Sequence, residues 1–343
     1  MRSVILAVLT CFATIPCRAE LPVVVEIDAI RADAKTRIAA GDLSGLLADA
    51  DKYLQKKERL ADGRWKLAIL YGALNFGFSA DGHASRDWVQ IESGLRALTE
   101  KQPSSANAWV FLAAWHEYHA WAMRGSGYVD TVSKDNEAAF ERGLAQARAV
   151  LDAHRNSDNP AWYVSRMSVG GALGESPQDL DRLFFEAIRH EPGYQQIWFT
   201  RLAFLEPKWG GSIEDMVSFI NSAARITSAT EGRGMMARLL LTADDSGYSE
   251  VKKRPEIAWD AVKVSYDDVL KRFPDDWNAQ RFFFEACRRS DKPEARHLLT
   301  FVKQAPSDAL FKRKSAAYAQ CVAWANDALA VPPTRDSGTG SSK

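Results

Sequence analysis

The chain has 343 residues, of which 46% are hydrophobic and 26% charged, so it holds enough apolar side chains to bury a large core. This composition excludes an intrinsically disordered protein, a collagen and a polytopic membrane protein. Lysine and arginine together number 44, as do aspartate and glutamate; with no net charge and no basic face, we expect no nucleic acid partner.

The first 19 residues are expected to form a secretory signal peptide. Arg2 supplies a positive charge, residues 4–13 form an apolar run, and Ala19 ends a short polar stretch typical of a cleavage site. The apolar run is too short to remain as a transmembrane anchor. The sequence therefore predicts a periplasmic or secreted protein with no transmembrane anchor after cleavage.

Residues 20–331 are predicted to form one helical domain, because alanine, leucine and charged residues recur there at helical spacing. Glycine, proline and capping residues such as Ser176 and Ser212 separate the helices. The predicted helices cover residues 26–40, 43–57, 64–77, 86–102, 107–123, 134–155, 160–174, 177–190, 194–205, 213–227, 231–243, 256–272, 276–289, 293–304 and 308–329. Residues 332–343 are rich in glycine and serine and are expected to be a disordered tail.

A weak internal repeat runs through this domain. Four times a large apolar residue precedes a proline by eight positions, and each proline ends a helix. The pairs are Leu95 and Pro103, Phe184 and Pro192, Tyr266 and Pro274, and Leu298 and Pro306. A tryptophan follows three of these prolines, and residues 277–306 come closest to the 34-residue tetratricopeptide (TPR) pattern. We therefore predict an all-α, TPR-like α-solenoid of about seven helical hairpins, right-handed and closed by a C-terminal capping helix.

Four short motifs carry a narrower resemblance. In chain order they are Gly63-Arg64-Trp65-Lys66-Leu67, Arg124-Gly125-Ser126-Gly127-Tyr128, Pro207-Lys208-Trp209-Gly210-Gly211-Ser212 and Glu231-Gly232. Together they resemble a family of exported bacterial proteins with a TPR-like domain of unknown function. The resemblance implies an array of helical hairpins in the cell envelope. It implies no activity, cofactor or catalytic residue.

Two cysteines, Cys287 and Cys321, follow the predicted signal peptide. Their separation of 34 positions is one period of the repeat, which places them on equivalent neighbouring helices. In an oxidising compartment they could form a disulfide bond if they face each other. The alternative is that they are two buried small apolar side chains that do not meet.

The predicted helix over 107–123 contains a cluster of candidate site residues. Its histidines, His116 and His119, lie three positions apart, whereas the helical motif of zinc proteases needs them four apart. No third metal ligand is evident, so we expect neither a metal nor another cofactor. Trp115, His116 and His119 are instead candidates for a ligand-binding groove, with burial in the core as the alternative.

Arginines near aromatic residues provide the other candidates. Trp162 with Arg166, and Trp277 with Arg281, lie four positions apart, so each pair shares a helix face and could hold a carboxylate or phosphate. The long connection over 124–134 contributes Arg124 and Tyr128, which could grip an anionic or polar group. The alternatives are arginines stacked on tryptophans at the surface and a loop that only covers the array.

The sequence contains no nucleophile elbow, phosphate-binding loop or dinucleotide-binding fingerprint. We therefore expect a non-catalytic binding or scaffold protein whose concave helical surface holds a peptide, a protein partner in the cell envelope or a small anionic ligand. The alternative is a hydrolase-like envelope enzyme that uses His116, Glu117 and His119. A purely structural role in an envelope complex is a third interpretation.

Overall fold

The computed structural model describes residues 20–78, 87–125, 131–311 and 314–327. Within these ranges the protein consists of α-helices without a β-strand, and a lone antiparallel bridge joins Arg59 to Trp65. The all-α class predicted from the sequence is therefore confirmed. The predicted signal peptide, the predicted tail and Tyr128 lie outside the described residues.

The helices are α1 (Pro22–Ala40), α2 (Leu43–Lys56), α3 (Lys66–Phe78), α4 (Asp87–Lys101), α5 (Ala106–Arg124), α6 (Lys134–Ala153), α7 (Pro160–Ala172), α8 (Pro177–His190), α9 (Gln195–Ala203), α10 (Ile213–Ile226), α11 (Gly234–Asp245), α12 (Trp259–Arg272), α13 (Asp276–Arg288), α14 (Lys292–Leu299), α15 (Asp308–Phe311) and α16 (Ser315–Asn326). Short 3-10 turns, Pro207–Trp209 and Val251–Lys253, follow α9 and α11.

The connections end and begin helices through the predicted capping chemistry. Asp42 accepts a hydrogen bond from the backbone N–H of Gly45 at 2.9 Å, at the start of α2. Ser176 and Ser212 accept from the N–H groups three residues ahead, at 3.2 and 3.0 Å, where α8 and α10 begin. Each cap satisfies an N–H group that the first turn of a helix leaves unpaired, so these residues set the helix boundaries.

The repeated spacing of tryptophan and proline has a physical basis in the structure. The indole Nε1 of Trp109 donates a hydrogen bond to the carbonyl oxygen of Pro103 at 2.9 Å. Trp198 makes the same bond to Pro192, also at 2.9 Å. In both places the indole of an odd-numbered helix binds the connection that leads into that helix, so the two connections have equivalent local structure.

The odd-numbered helices form a row. In this row α3 contacts α5, α5 contacts α7, α7 contacts α9 and α9 contacts α11. The even-numbered helices α6, α8 and α10 each pack against the helix before and the helix after them in the chain. Helices that are neighbours in sequence are therefore neighbours in space along this part of the protein.

The connection between α2 and α3, residues 57–65, departs from this serial order; we call it the hub loop. It contacts helices that follow it by more than a hundred residues. The indole Nε1 of Trp65 donates to the carbonyl oxygen of Gly193 at 2.8 Å, and Gln195 donates to the carbonyl oxygen of Gly63 at 3.1 Å. These bonds attach the hub loop to the start of α9.

The same loop also reaches α11 and α13. Arg59 pairs with Glu231 at 2.9 Å, and the guanidinium of Arg238 donates to the carbonyl oxygen of Asp62 at 2.7 Å. That carbonyl oxygen accepts a second bond from Asn278 of α13 at 3.1 Å. The hub loop thereby joins the N-terminal part of the chain to three later helices.

One predicted helix, at the C-terminal end, differs from the structure. The single helix expected over 308–329 is two helices, α15 and α16, because the chain between them turns at Lys314. Helix α16 packs against α13 and α14 through buried side chains that include Tyr318 and Trp324. One continuous apolar core extends from α1 to α16.

Candidate functional site

The row of odd-numbered helices forms a cavity of about 490 Å³, which we call the central cavity. Helices α3, α5 and α7 and the start of α9 form its wall. The described residues that line it are Ala68, Tyr71, Gly72, Asn75, Glu117, Tyr118, Trp121, Ala161, Val164, Ser165, Ser168, Tyr194, Gln196 and Thr200. A volume of this size is within the range of cavities that hold small molecules.

Glu117 is the acidic residue among these lining residues. It lies in the middle of α5, and only 5% of its surface is exposed. The hydroxyl of Ser168, on α7, donates a hydrogen bond to its Oε1 at 2.5 Å. Burial raises the pKa of Glu117 to about 7, while the bond from Ser168 acts in the opposite direction. Near neutral pH this carboxyl group can therefore gain or lose a proton.

Three tyrosines surround the cavity from different elements. Tyr71 is on α3, Tyr118 is on α5, and Tyr194 immediately precedes α9. Burial raises the pKa of each phenol, so all three stay neutral at physiological pH. They contribute aromatic surface and hydroxyl groups to the cavity wall, and no charge.

A buried hydrogen-bond network holds this wall in place. The hydroxyl of Tyr71 donates to Oδ1 of Asn107 at 2.8 Å, and Asn159 donates to the same oxygen at 3.0 Å. The amide nitrogen of Asn107 donates in turn to Asp51 at 2.7 Å. Because the network joins α2, α3, α5 and the start of α7, it fixes the positions of the helices around the cavity.

The electrostatic character of the central cavity follows from its lining. Among the described lining residues there is one carboxyl group and no lysine, arginine or histidine, and the other polar groups are neutral hydroxyls and amides. Such a surface offers hydrogen-bond acceptors and a negative charge. It can therefore accept hydrogen bonds from a ligand, and it offers no counter-charge to an anion.

The structure separates the predicted histidine cluster from Glu117. Trp115 and His119 stack on each other at 5.0 Å between ring centroids, and both rings contact Trp88 of α4. Burial lowers the pKa of His116 to about 4, and the other groups that act on it are Glu92 and Arg96 of α4 and His119 of its own helix. Trp115, His116 and His119 therefore pack toward α4, while Glu117 lines the cavity. None of these three residues lines the central cavity, because successive residues of a helix point to different sides.

The members of the predicted tryptophan and arginine pairs have other partners in the structure. Arg166 is bound to Asp152 at 2.7 Å and to Glu175 at 2.9 Å, and the guanidinium over the ring of Trp162 belongs to Arg155. Arg281 pairs with Asp245 at 2.7 Å, and Arg64 stacks on Trp277. Trp162, Arg166 and Arg281 do not line the central cavity. Carboxylates of neighbouring elements bind these arginines, and sequence spacing along one helix does not reveal such partners.

Arg124 lies at a second cavity, of about 480 Å³, beside the central one. Its guanidinium is 5.6 Å from the ring centroid of Trp121, which lines both cavities. The exposed Trp209 of the Trp-Gly-Gly-Ser motif also lines this second cavity. Tyr128, predicted to act together with Arg124, lies outside the described residues.

The predicted cysteine pair is joined in the structure. A disulfide bond connects Cys287 of α13 to Cys321 of α16, whose Cα atoms are 5.8 Å apart. Both cysteines are buried. Of the two interpretations left open by the sequence, the structure has the bonded form.

The sequence did not single out most residues of the central cavity. Glu117 was a candidate only together with His116 and His119. No sequence pattern indicated Ser168, Thr200 or Gln196. One signal could have identified Glu117. It is a glutamate on a helix that is apolar on every side, so the sequence predicts that it is buried, and a buried carboxyl group needs a specific environment.

The described residues contain no group of three or more histidine, cysteine, aspartate and glutamate side chains placed to hold a metal ion. In the same part of the chain, no helix combines the length and apolar character needed to cross a membrane. Comparison of the chain with protein families, with curated proteins and with solved structures finds no match.

Proposed function

We propose that this protein is an exported, non-catalytic binding protein, built as a TPR-like array of helical hairpins, that holds a ligand in the central cavity. The observation that carries the proposal is the cavity itself: four successive odd-numbered helices surround a concave, polar space that contains a buried carboxyl group. The ligand is a small molecule or a side chain of a peptide or protein partner in the cell envelope.

The serial contacts of α3, α5, α7, α9 and α11 support the repeat architecture. In TPR-like arrays the first helices of successive hairpins stack side by side, and their exposed surface forms the binding face. The resemblance to the exported TPR-like family agrees with this arrangement. The hub loop makes the array more closed than an open solenoid, because it lies against the ends of α9, α11 and α13.

Two independent features support export. Residues 1–19 have the charge, apolar run and small-residue end of a cleaved signal peptide. The Cys287–Cys321 bond is of the kind that persists in the periplasm or outside the cell, whereas reducing systems in the cytosol keep most thiols reduced.

The geometry favours binding over catalysis. The hydrolase-like alternative requires His116, Glu117 and His119 to act on one substrate, and these side chains face different neighbours. The lining of the central cavity also disfavours the anionic ligand expected from the sequence, because Arg166 and Arg281 pair elsewhere with carboxylates and Arg124 lies at the second cavity.

Gly72 allows a direct test of the cavity. It is an exposed position on α3 that lines the cavity, and a Cβ atom built on it meets nothing within 4 Å. We expect Gly72→Leu to fold and to fill the cavity, and Gly72→Ala to fold and leave it open. Both variants should unfold at a slightly higher temperature than the wild type, because glycine weakens a helix interior by about 0.5–1 kcal/mol.

The test measures ligand-induced shifts of the melting temperature for protein purified from the periplasmic fraction. The panel contains alkylamines, amino acids, blocked peptides, sugars and dicarboxylates. We expect at least one class to stabilise the wild type and Gly72→Ala but not Gly72→Leu, and we expect the purified chain to begin at Glu20. The proposal is wrong if no class stabilises the protein, or if Gly72→Leu responds as the wild type does.

A further inference from the structure

The central cavity contains an unbalanced charge. Among the described residues, the influence on the Glu117 carboxyl group besides burial is the hydrogen bond from Ser168, which carries no charge. A buried carboxylate without a cation is costly, because it loses hydration and gains no ionic partner. The described residues around the cavity supply no such cation. A bound ligand that carries a positive charge would complete the site.

The neutral groups of the lining indicate what kind of cation fits. Ser165 and Ser168 of α7 and Gln196 and Thr200 of α9 provide oxygen atoms that accept hydrogen bonds. The rings of Tyr71, Tyr118 and Tyr194 provide aromatic surface, which attracts cations. A primary ammonium group has three N–H donors and a compact positive charge, so it can use both kinds of group together with the carboxylate.

We propose that the central cavity binds a primary ammonium group, with Glu117 as its counter-ion and the serine, threonine and glutamine oxygens of α7 and α9 as further acceptors. The inference rests on the proposed binding function and specifies its ligand class. The ammonium group could belong to a free alkylamine or to a lysine side chain of a peptide, and both sources share the chemistry that the cavity recognises.

Binding of an ammonium group should depend on pH because it needs the ionised form of Glu117. Besides Glu117, the titratable groups among the described lining residues are the phenols of Tyr71 on α3, Tyr118 on α5 and Tyr194 before α9, and all three remain neutral. No charged side chain of α3, α7 or α9 is among the described lining residues. With a Glu117 pKa of about 7, the ionised fraction rises from roughly one tenth at pH 6 to roughly nine tenths at pH 8. The affinity should rise about tenfold over that interval.

The experiment measures binding by isothermal titration calorimetry with four probes that share one five-carbon chain: pentylamine, pentyltrimethylammonium, pentanol and pentanoate. We expect pentylamine to bind most tightly and to bind about tenfold more tightly at pH 8 than at pH 6. An alkylamine stays protonated at both pH values, so the change reports on the protein. If pentyltrimethylammonium or pentanoate binds as tightly as pentylamine, the inference is wrong.

Three variants assign the effect to Glu117. Glu117→Gln should bind pentylamine at least tenfold more weakly at pH 8 and should lose the pH dependence. Ser168→Ala removes a bond that lowers the pKa of Glu117, so the pH at which binding rises should move upward. Glu100→Gln, at an exposed position on α4, is the matched control and should bind as the wild type does. Unchanged pentylamine binding by Glu117→Gln would overturn the inference.

A blocked tripeptide, acetyl-Ala-Lys-Ala-amide, distinguishes the two sources of the ammonium group. If it binds more tightly than pentylamine, and its Nε-acetylated form does not bind, the natural ligand is a lysine side chain. Should neither amine probe bind while other members of the panel stabilise the wild type but not Gly72→Leu, the ammonium inference fails and the binding function stands.

Discussion

Glu117 shows how one side chain acquires its properties from its neighbours. A glutamate in a predicted helix is expected to face solvent, yet here four helices enclose it and Ser168 binds it. Burial raises its pKa and lowers that of His116, because the uncharged forms of both residues are favoured inside the protein. Adjacent residues of one helix therefore respond to pH with opposite signs.

Replacement of Glu117 by glutamine should change how stability depends on pH. The pKa of Glu117 is about 7 in the folded protein against an ordinary value of 4.5, so the folded state keeps its proton to higher pH than the unfolded chain. The stability contributed by protonated Glu117 is fully present below about pH 4.5 and is lost as the pH rises through about 7. Glu117→Gln should match the wild type at pH 4.5 and exceed it by up to about 3 kcal/mol at pH 8.

Urea unfolding of the two proteins at pH 4.5, 6 and 8 measures this difference. The buried His116 acts in the opposite direction, since its contribution is present above about pH 6.5 and is lost as the pH falls toward about 4. It is common to both proteins and cancels in the comparison. A difference in unfolding free energy that stays constant across the three pH values would contradict the prediction.

At the scale of elements, the helices depend on local signals that the sequence displays. Asp42, Ser176 and Ser212 cap the helices that follow them, and Trp109 and Trp198 bind the proline carbonyl six residues earlier. These interactions act over a few residues, which is why sequence patterns predicted the serine caps and displayed the tryptophan and proline spacing. The C-terminal elements depend in addition on contacts between helices: α14 and α16 pack against α13, and a disulfide bond joins α13 to α16.

Removal of the Cys287–Cys321 bond should weaken the C-terminal end of the array. The bond closes a loop between residues separated by 34 positions, and in the chain-entropy treatment such a loop contributes about 3–4 kcal/mol. We expect the free energy of unfolding of the double variant Cys287→Ala/Cys321→Ala to be lower than that of the wild type by that amount, so the variant should unfold at a lower urea concentration. The oxidation state is checked by alkylation of the purified chain in denaturant without reductant, which should leave its mass unchanged. Two alkyl adducts would show that the cysteines are free.

At the scale of the whole molecule, the hub loop determines how the row of helices is closed. Trp65 is 2% exposed, and its ring centroid is 5.2 Å from that of Tyr194. Arg59 pairs with Glu231, just before α11, and the carbonyl oxygen of Asp62 accepts hydrogen bonds from Arg238 and Asn278. An array whose repeats touch only their neighbours can unfold from its ends. The hub loop couples distant helices and should make unfolding more cooperative.

Gly63 is the position at which this closure can be tested. Its φ of +93° is in the left-handed region, and a Cβ atom there would lie 2.7 Å from the guanidinium of Arg238 and from the ring of Phe273. We expect Gly63→Ala to lower the free energy of unfolding by about 2–5 kcal/mol, the sum of a left-handed alanine and an overpacked contact. The whole transition should move, so that circular dichroism and tryptophan fluorescence report the same midpoint.

Gly41 is the matched control for that substitution. It has a φ of +73°, but a Cβ atom there meets nothing within 4 Å. Gly41→Ala should therefore cost only about 1–2 kcal/mol. Equal destabilisation by the two substitutions would show that the hub loop does not hold the array together.

The sequence by itself determined the all-α class, most helix positions and the caps, because helical spacing and capping chemistry act locally. It left open whether the two cysteines are bonded. Only the tertiary structure decided which side chains meet. It placed Glu117 in a cavity with Ser168 and Thr200, turned His116 toward α4, gave Arg166 and Arg281 carboxylate partners, and brought the hub loop against α9, α11 and α13. These contacts join residues far apart in the chain, and they depend on how the helices are oriented around one another, which a pattern along a single helix does not record.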